Sequence, residues 1–208
     1  MSSGSPQSVS VSPAVTIVVP VRNEADNVAP LIAEIDAALD GRWPYEIIYV
    51  NDGSTDTTGD VLLGLMKQRS NLRQLRHAES CGQSSAVRSG VRAARGKIVA
   101  TLDGDGQNDP SFLPALLAAV ENGGGRVGLA AGQRVGRKDT TFKRLQSRIA
   151  NGVRGSILRD GTRDTGCGLK AFQRDAFLLL PYFDGLHRFL PALMRREGFE
   201  IAYVDVKD

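Results

Sequence analysis

Short, continuously apolar and largely β-branched runs alternate, along the first two thirds of the chain, with segments whose apolar residues recur every three or four positions. Val15–Val19 precedes the stripe Val28, Leu31, Ile32, Ile35 and Leu39, and Glu46–Val50 precedes Val61, Leu62, Leu65 and Met66. The more polar run Leu72–Arg76 is followed by Ala86, Val87, Val91 and Ala94, then the apolar Ile98–Leu102 by Leu113, Leu116, Leu117 and Val120, and Val127–Ala131 ends the series. A strand that is apolar throughout has no face for water, and a helix between successive strands makes them parallel. The pattern therefore predicts an α/β fold, a single Rossmann-like domain with a mainly parallel central sheet flanked by helices. Beyond residue 134 the rhythm weakens into a basic loop, a helix around Phe142–Ile157, a glycine-containing stretch Asp164–Phe172, a helix near His187–Glu197 and a final strand Glu200–Val206.

Local signals place the helix starts. Asp109-Pro110 sets a capping carboxylate before a proline at the first helical position, and Ser54 or Asp56 can cap the second helix. With 208 residues, 41% of them hydrophobic, the chain supports one core and one domain. Met1–Pro13, rich in Ser and Pro with neither a basic start nor an apolar stretch, is expected to be a disordered tail, leaving 14–208 as the domain. No apolar run approaches the ~20 residues of a bilayer-spanning helix, so the expected location is cytoplasmic. Cys81 and Cys167 lack C-x-x-C spacing and the two histidines are far apart, which argues against a zinc site or disulfide framework.

In open α/β sheets ligands gather at the carboxyl ends of the strands. Those ends carry Pro20-Val21-Arg22-Asn23-Glu24, Asn51-Asp52-Gly53-Ser54 and Asp103-Gly104-Asp105-Gly106-Gln107. Any one alone is an ordinary turn or cap; three on one edge mark a candidate site. No G-x-G-x-x-G or G-x-x-x-x-G-K-[ST] loop follows the first strand, so backbone amides are not the main phosphate cradle. An acidic site accepts an anionic diphosphate only through a cation, and Asp103 and Asp105 offer hard oxygen ligands to Mg2+ or Mn2+. A calcium-loop reading fails, because its sixth and twelfth positions are Asn108 and Pro114 instead of Gly and Glu.

With these motifs in place, the sequence resembles the family-2 inverting glycosyltransferases of GT-A fold across nearly all of residues 14–206. Pro20–Glu24, Val50–Asp56 and Leu102–Pro110 match that family's opening, second and metal-binding motifs in order and spacing. The second half is similar to the dolichol-phosphate mannosyltransferase-like branch, which glycosylates polyprenyl phosphates, through Gly132-Gln133-Arg134, the basic stretch with Arg144 and Arg148, Gly166–Phe172 and His187–Leu193. The resemblance implies that Pro20, Arg22, Glu24, Val50 and Asp52 contact base and ribose, and that Asp103, Gly104, Asp105 and Gln107 hold the diphosphate and metal. It further implies that Arg134, Arg144, Ser147 and Arg148 meet an acceptor phosphate, with Asp105 and Arg134 central to catalysis. Arg22 stands where the mannosyltransferases commonly have Tyr, so the implied donor is UDP- or GDP-linked. Relatives of this branch continue past Val206 with a basic segment, and the C-terminus is expected to be truncated.

Charge is uneven: residues 134–164 carry nine basic side chains against three acidic. A lipid phosphate acceptor is already ionised near neutral pH and needs cations more than a base, whereas a sugar hydroxyl acceptor would need a base such as Asp164 or Asp184. On the expected helix Phe142–Ile157, Phe142, Leu145, Ile149 and Val153 form one stripe beside Lys143, Arg144 and Arg154, a pattern suited to peripheral contact at the cytoplasmic face of a membrane or to packing on the core. The reading is thus a metal-dependent transferase from a nucleotide sugar to a polyprenyl phosphate in cell-envelope biogenesis. Its alternatives are a soluble transferase to a polysaccharide hydroxyl and a catalytically silent nucleotide-sugar-binding module. Nucleic acid is excluded as a partner, since the basic patch lacks interleaved aromatics and any groove-reading motif.

Overall fold

The computed structural model describes residues 12–135 and 166–207. Its elements follow the expected alternation: β1 (Val15–Val21), α1 (Ala25–Leu39), β2 (Tyr45–Asp52), α2 (Thr58–Met66), β3 (Leu72–His77), α3 (Gln83–Ala93), β4 (Ile98–Thr101), α4 (Leu113–Asn122) and β5 (Val127–Arg134). Then come β6 (Lys170–Gln173), α5 (Arg174–Leu178), α6 (Leu186–Arg196) and β7 (Glu200–Val206). The strands form one sheet in the order β3-β2-β1-β4-β6-β5-β7, with β6 antiparallel to both neighbours and every other pairing parallel.

The continuous strands are buried on both faces, as their composition requires. Ile17, Val19, Ile47 and Tyr49 pack with Leu31, Ile35, Leu62, Leu116 and Leu117 of α1, α2 and α4. Val18, Ile48 and Val50 point the other way, into Val87 and Val91 of α3 and Leu190 and Met194 of α6. The stripe Val28, Leu31, Ile32, Ile35 and Leu39 is the buried face of α1. Asp109 caps as expected, its carboxylate accepting the Ser111 N–H at 2.8 Å in the 3-10 turn Pro110–Phe112 that leads into α4. Of the two candidate caps for α2, Asp56 accepts the Thr58 N–H at 3.0 Å, while Ser54 serves the neighbouring loop instead.

Two elements were not expected: β6 and α5 emerge from the stretch that read as glycine-containing loop and its continuation. Four residues, Lys-Ala-Phe-Gln, are too few to show a period, and the preceding Gly166-Cys167-Gly168 reads as a turn. The expected helix Phe142–Ile157, and with it Arg144, Ser147, Arg148 and Asp164, lies outside the described residues.

Candidate active site

After β1 the chain turns through Asn23, whose φ of 58° is left-handed, and enters α1. This turn is tied to the one after β2: the Asn23 N–H donates to Ser54 Oγ at 3.0 Å, the Thr55 N–H to Asn23 Oδ1 at 2.9 Å, and the Glu24 N–H to Thr58 Oγ1 at 3.0 Å. Asn51 accepts the Ser54 N–H at 2.9 Å and closes the second turn. The two loops are one hydrogen-bonded unit flanking the β1 and β2 ends. Arg22 is exposed above it, and Glu24 accepts from the Asn27 amide at 2.6 Å. The Val50 side chain is 0% exposed in the apolar layer, so toward a ligand it can present only main chain.

Asp52 ends β2, and its carboxylate binds the loop after β3. Oδ1 faces His77 Nδ1 at 2.7 Å and accepts the Cys81 N–H at 2.8 Å; Oδ2 accepts the Ser80 hydroxyl at 2.8 Å and the Gly82 N–H at 2.9 Å. Burial alone would raise its pKa, but the bonds from Cys81, His77, Ser80 and Gly82 outweigh it and hold the group below the ordinary carboxylate range. Asp52, His77 and Cys81 bring potential ligand atoms within 4.8 Å of one another. With both carboxylate oxygens occupied by hydrogen bonds, the cluster is a clamp that shapes the entry to α3. The opposite ring nitrogen of His77 lies 2.9 Å from Ser89 Oγ on that helix.

The acidic turn after β4 sits between these loops and β6. Asp103 is half-buried, its N–H donates to Asn108 Oδ1 at 2.9 Å, and its Oδ1 accepts from Gln83 Nε2 at 2.7 Å. Asp105 is exposed and accepts the Gln107 N–H at 3.0 Å, with Gln107 also exposed. Main chain approaches closely on both sides. A Cβ on Gly104 would lie 2.2 Å from Val21 Cγ1, and one on Gly168 would lie 2.2 Å from Asp103 Oδ2. Burial raises the Asp103 pKa, and Asp105 adds to this, while Lys170, Arg134 and the Gln83 hydrogen bond oppose it. A half-buried carboxylate beside a second one, both hard oxygen donors, is a ligand set that fits Mg2+ or Mn2+ and gains from a cation.

Beyond Asp103 opens a cavity of about 230 Å³ lined by Pro20, Asp103, Cys167, Lys170, His187 and Arg188, among others. Lys170 is 5% exposed, and its ammonium donates to the Cys167 carbonyl. Register places it opposite Thr101, at the end of β4, and beside Ala131 of β5. The structure thus brings Pro20, Asp103 and Arg134 to one edge with Gln83, Lys170 and His187, to which sequence reasoning gave no role. The signal for Gln83 and Lys170 was their place within glycine-flanked segments, Cys81-Gly82-Gln83 and Gly166–Lys170.

Comparison with known proteins agrees with this geometry. The family model described as glycosyl transferase family 2 matches residues 16–179. A dodecaprenyl-phosphate galacturonate synthase of Rhizobium johnstonii is 35% identical over 185 residues, covering 85% of this chain and 53% of the relative. An undecaprenyl-phosphate 4-deoxy-4-formamido-L-arabinose transferase of Edwardsiella ictaluri is 32% identical over 181 residues, covering 86% and 55%. The chain therefore spans about half the length of the curated relatives it matches. The mannosyltransferase PcManGT of Pyrobaculum calidifontis, solved with GDP-Man and Mn2+, superposes with a TM-score of 0.68 at 20% identity over 94% of this chain and 55% of that one. Mannosyl-3-phosphoglycerate synthase of Rubrobacter xylanophilus does so with 0.74 at 22% identity, over 94% and 66%. The sheet order, the acidic turn after β4 and these matches together place the chain in glycosyl transferase family 2, with the GT-A fold.

Proposed function

We propose that this domain transfers a sugar, with inversion, from a UDP- or GDP-linked donor to a polyprenyl phosphate at the cytoplasmic face of a membrane. The observation that carries the reading is that Asp103 shares one cavity with Lys170 and Arg188 while Asp105 and Arg134 act on its carboxylate electrostatically. The relatives named for dodecaprenyl and undecaprenyl phosphate support the acceptor class. Pro20, Arg22, Glu24, the Val50 main chain and the loop clamped by Asp52 flank the nucleoside. Asp103 and Asp105, with Gly104 and Gln107, would hold a divalent cation and the diphosphate, and the cation when bound neutralises charge developing on the leaving group. Arg134 faces the acceptor phosphate, joined by Arg144, Ser147 and Arg148 from the segment outside the described residues. Peripheral contact with the membrane follows from the acceptor's anchorage; among the described residues no helix is long and apolar enough to cross it.

Asp105→Ala tests the metal assignment. The exposed carboxylate contributes little to the core, so the variant should melt as wild type does but lose at least about two powers of ten in transfer, a loss typical of removing charge stabilisation at a reacting centre. Full activity at saturating Mn2+ would remove Asp105 from the site. Arg134→Ala should raise the KM for undecaprenyl phosphate about tenfold while leaving UDP or GDP affinity unchanged, as loss of a charge-assisted phosphate contact predicts. Equal kinetics with lipid phosphate, measured with that substrate varied, would favour a hydroxyl acceptor.

A further inference from the structure

His187, at the start of α6, lines the cavity beside Asp103, Lys170 and Arg188. Its Nδ1 lies 2.8 Å from Ser84 Oγ, and the same oxygen accepts the Gly185 N–H at 3.0 Å. Ser84 is 1% exposed, and among the described residues these are its only side-chain partners. A buried hydroxyl keeps its proton in a hydrogen bond, and here the available acceptor is Nδ1. With Nδ1 accepting, the ring proton resides on Nε2. Burial, reinforced by Lys170 and Arg188 and only partly opposed by Asp184, pushes the His187 pKa down to about 4, which agrees with a neutral ring. Nε2 has no hydrogen-bond partner among the described residues.

Position identifies what this N–H faces. Across the sheet the nucleoside loops belong to β2 and β1, the acidic turn to β4, and Lys170 to β6, on the side away from β2. Inversion at the anomeric carbon requires the nucleophile to approach from the side opposite the leaving diphosphate, so donors beyond Asp103 face the second substrate. We propose that His187, oriented by Ser84, donates its Nε2–H to the acceptor phosphate alongside Lys170, and that it serves as a phosphate-binding group and not as a general base. This rests on the polyprenyl-phosphate reading above. The chemistry balances without a base: an ionised phosphate oxygen forms the new C–O bond, the bond to the diphosphate breaks with its electron pair, and no proton changes hands. A ring with Nδ1 engaged and Nε2 protonated has no lone pair to take a proton from a hydroxyl nucleophile.

The test uses the full-length protein with UDP and Mn2+ and follows binding of undecaprenyl phosphate. His187→Ala should weaken that binding about tenfold, the scale of one hydrogen bond to a charged group, with UDP affinity unchanged. His187→Gln, which keeps an N–H donor, should recover most of the loss. Nitrogen-15 NMR of wild type at pH 7 should show a neutral ring protonated at Nε2, and Ser84→Ala should mix the tautomers and weaken lipid phosphate binding. A charged ring or an Nδ1–H tautomer in wild type overturns the proposal, as does equal binding of undecaprenyl phosphate by all variants while wild type binds it. Wild type that ignores undecaprenyl phosphate yet glycosylates an oligosaccharide hydroxyl overturns the acceptor reading itself, and this proposal with it.

Discussion

At Asp52 four donors converge on one carboxylate that is 6% exposed, and replacing an oxygen by an amide sets N–H against N–H or O–H. Asp52→Asn should therefore cost about 2–3 kcal/mol of stability at pH 7, the scale of a lost hydrogen-bonded charge. The folded pKa is depressed, so this stability is fully present above the unfolded value of 3.8 and is lost as pH falls through the lower folded value. Denaturant titrations should show the gap between variant and wild type constant from pH 7 to about pH 5 and narrowing only at more acid pH. An unchanged midpoint at neutral pH would contradict the clamp. The acids at the strand ends were legible because a D-x-D or N-D-G-S turn is contiguous in sequence. The partners of Asp103 were not: Gln83 opens a helix, Lys170 sits in a strand and His187 on another helix, and each residue type in isolation reads as ordinary surface.

Among the elements, β6 shows where pattern reading stops. The longer strands β1, β2 and β7 announced themselves through length and β-branched content, whereas β6 has four residues and gains its place from pairing with β4 and β5. Tertiary pairing decides such short strands, and no local period records it. Its position matters because the turn before it rests on the acidic site. Gly168→Ala would push a methyl against Asp103 Oδ2 and Asn108 Oδ1, which lie 2.2 and 2.5 Å from the added Cβ. The variant should fold, since the contact is at a sheet edge loop, but Mn2+ affinity measured by calorimetry in the presence of UDP should fall about tenfold or more. Unaltered metal affinity would show that Asp103 relaxes freely.

Across the whole molecule, the two ends of the sheet carry different burdens. At the amino end, buried Glu46 accepts from Thr16 Oγ1 at 2.9 Å, the Arg95 N–H at 2.7 Å and Arg73 Nη1 at 2.8 Å, and Thr16 in turn accepts the Gly96 N–H at 2.9 Å. Glu46→Ala leaves buried Thr16 and half-buried Arg73 without their acceptor and should lower stability by about 1–3 kcal/mol while the surviving folded fraction binds UDP and Mn2+ as wild type does. A parallel loss of nucleotide affinity would show that the two ends are coupled. At the carboxyl end, β5 and β6 are adjacent and antiparallel, with Ala131 opposite Lys170 and the Gly132 N–H donating to the Leu169 carbonyl at 2.9 Å. The chain thus departs from β5 and enters β6 at neighbouring rungs of one ladder, both beside the acidic turn. The ladder itself therefore fixes how β5 and β6 meet, so a change in the number of residues between them need not shift either strand.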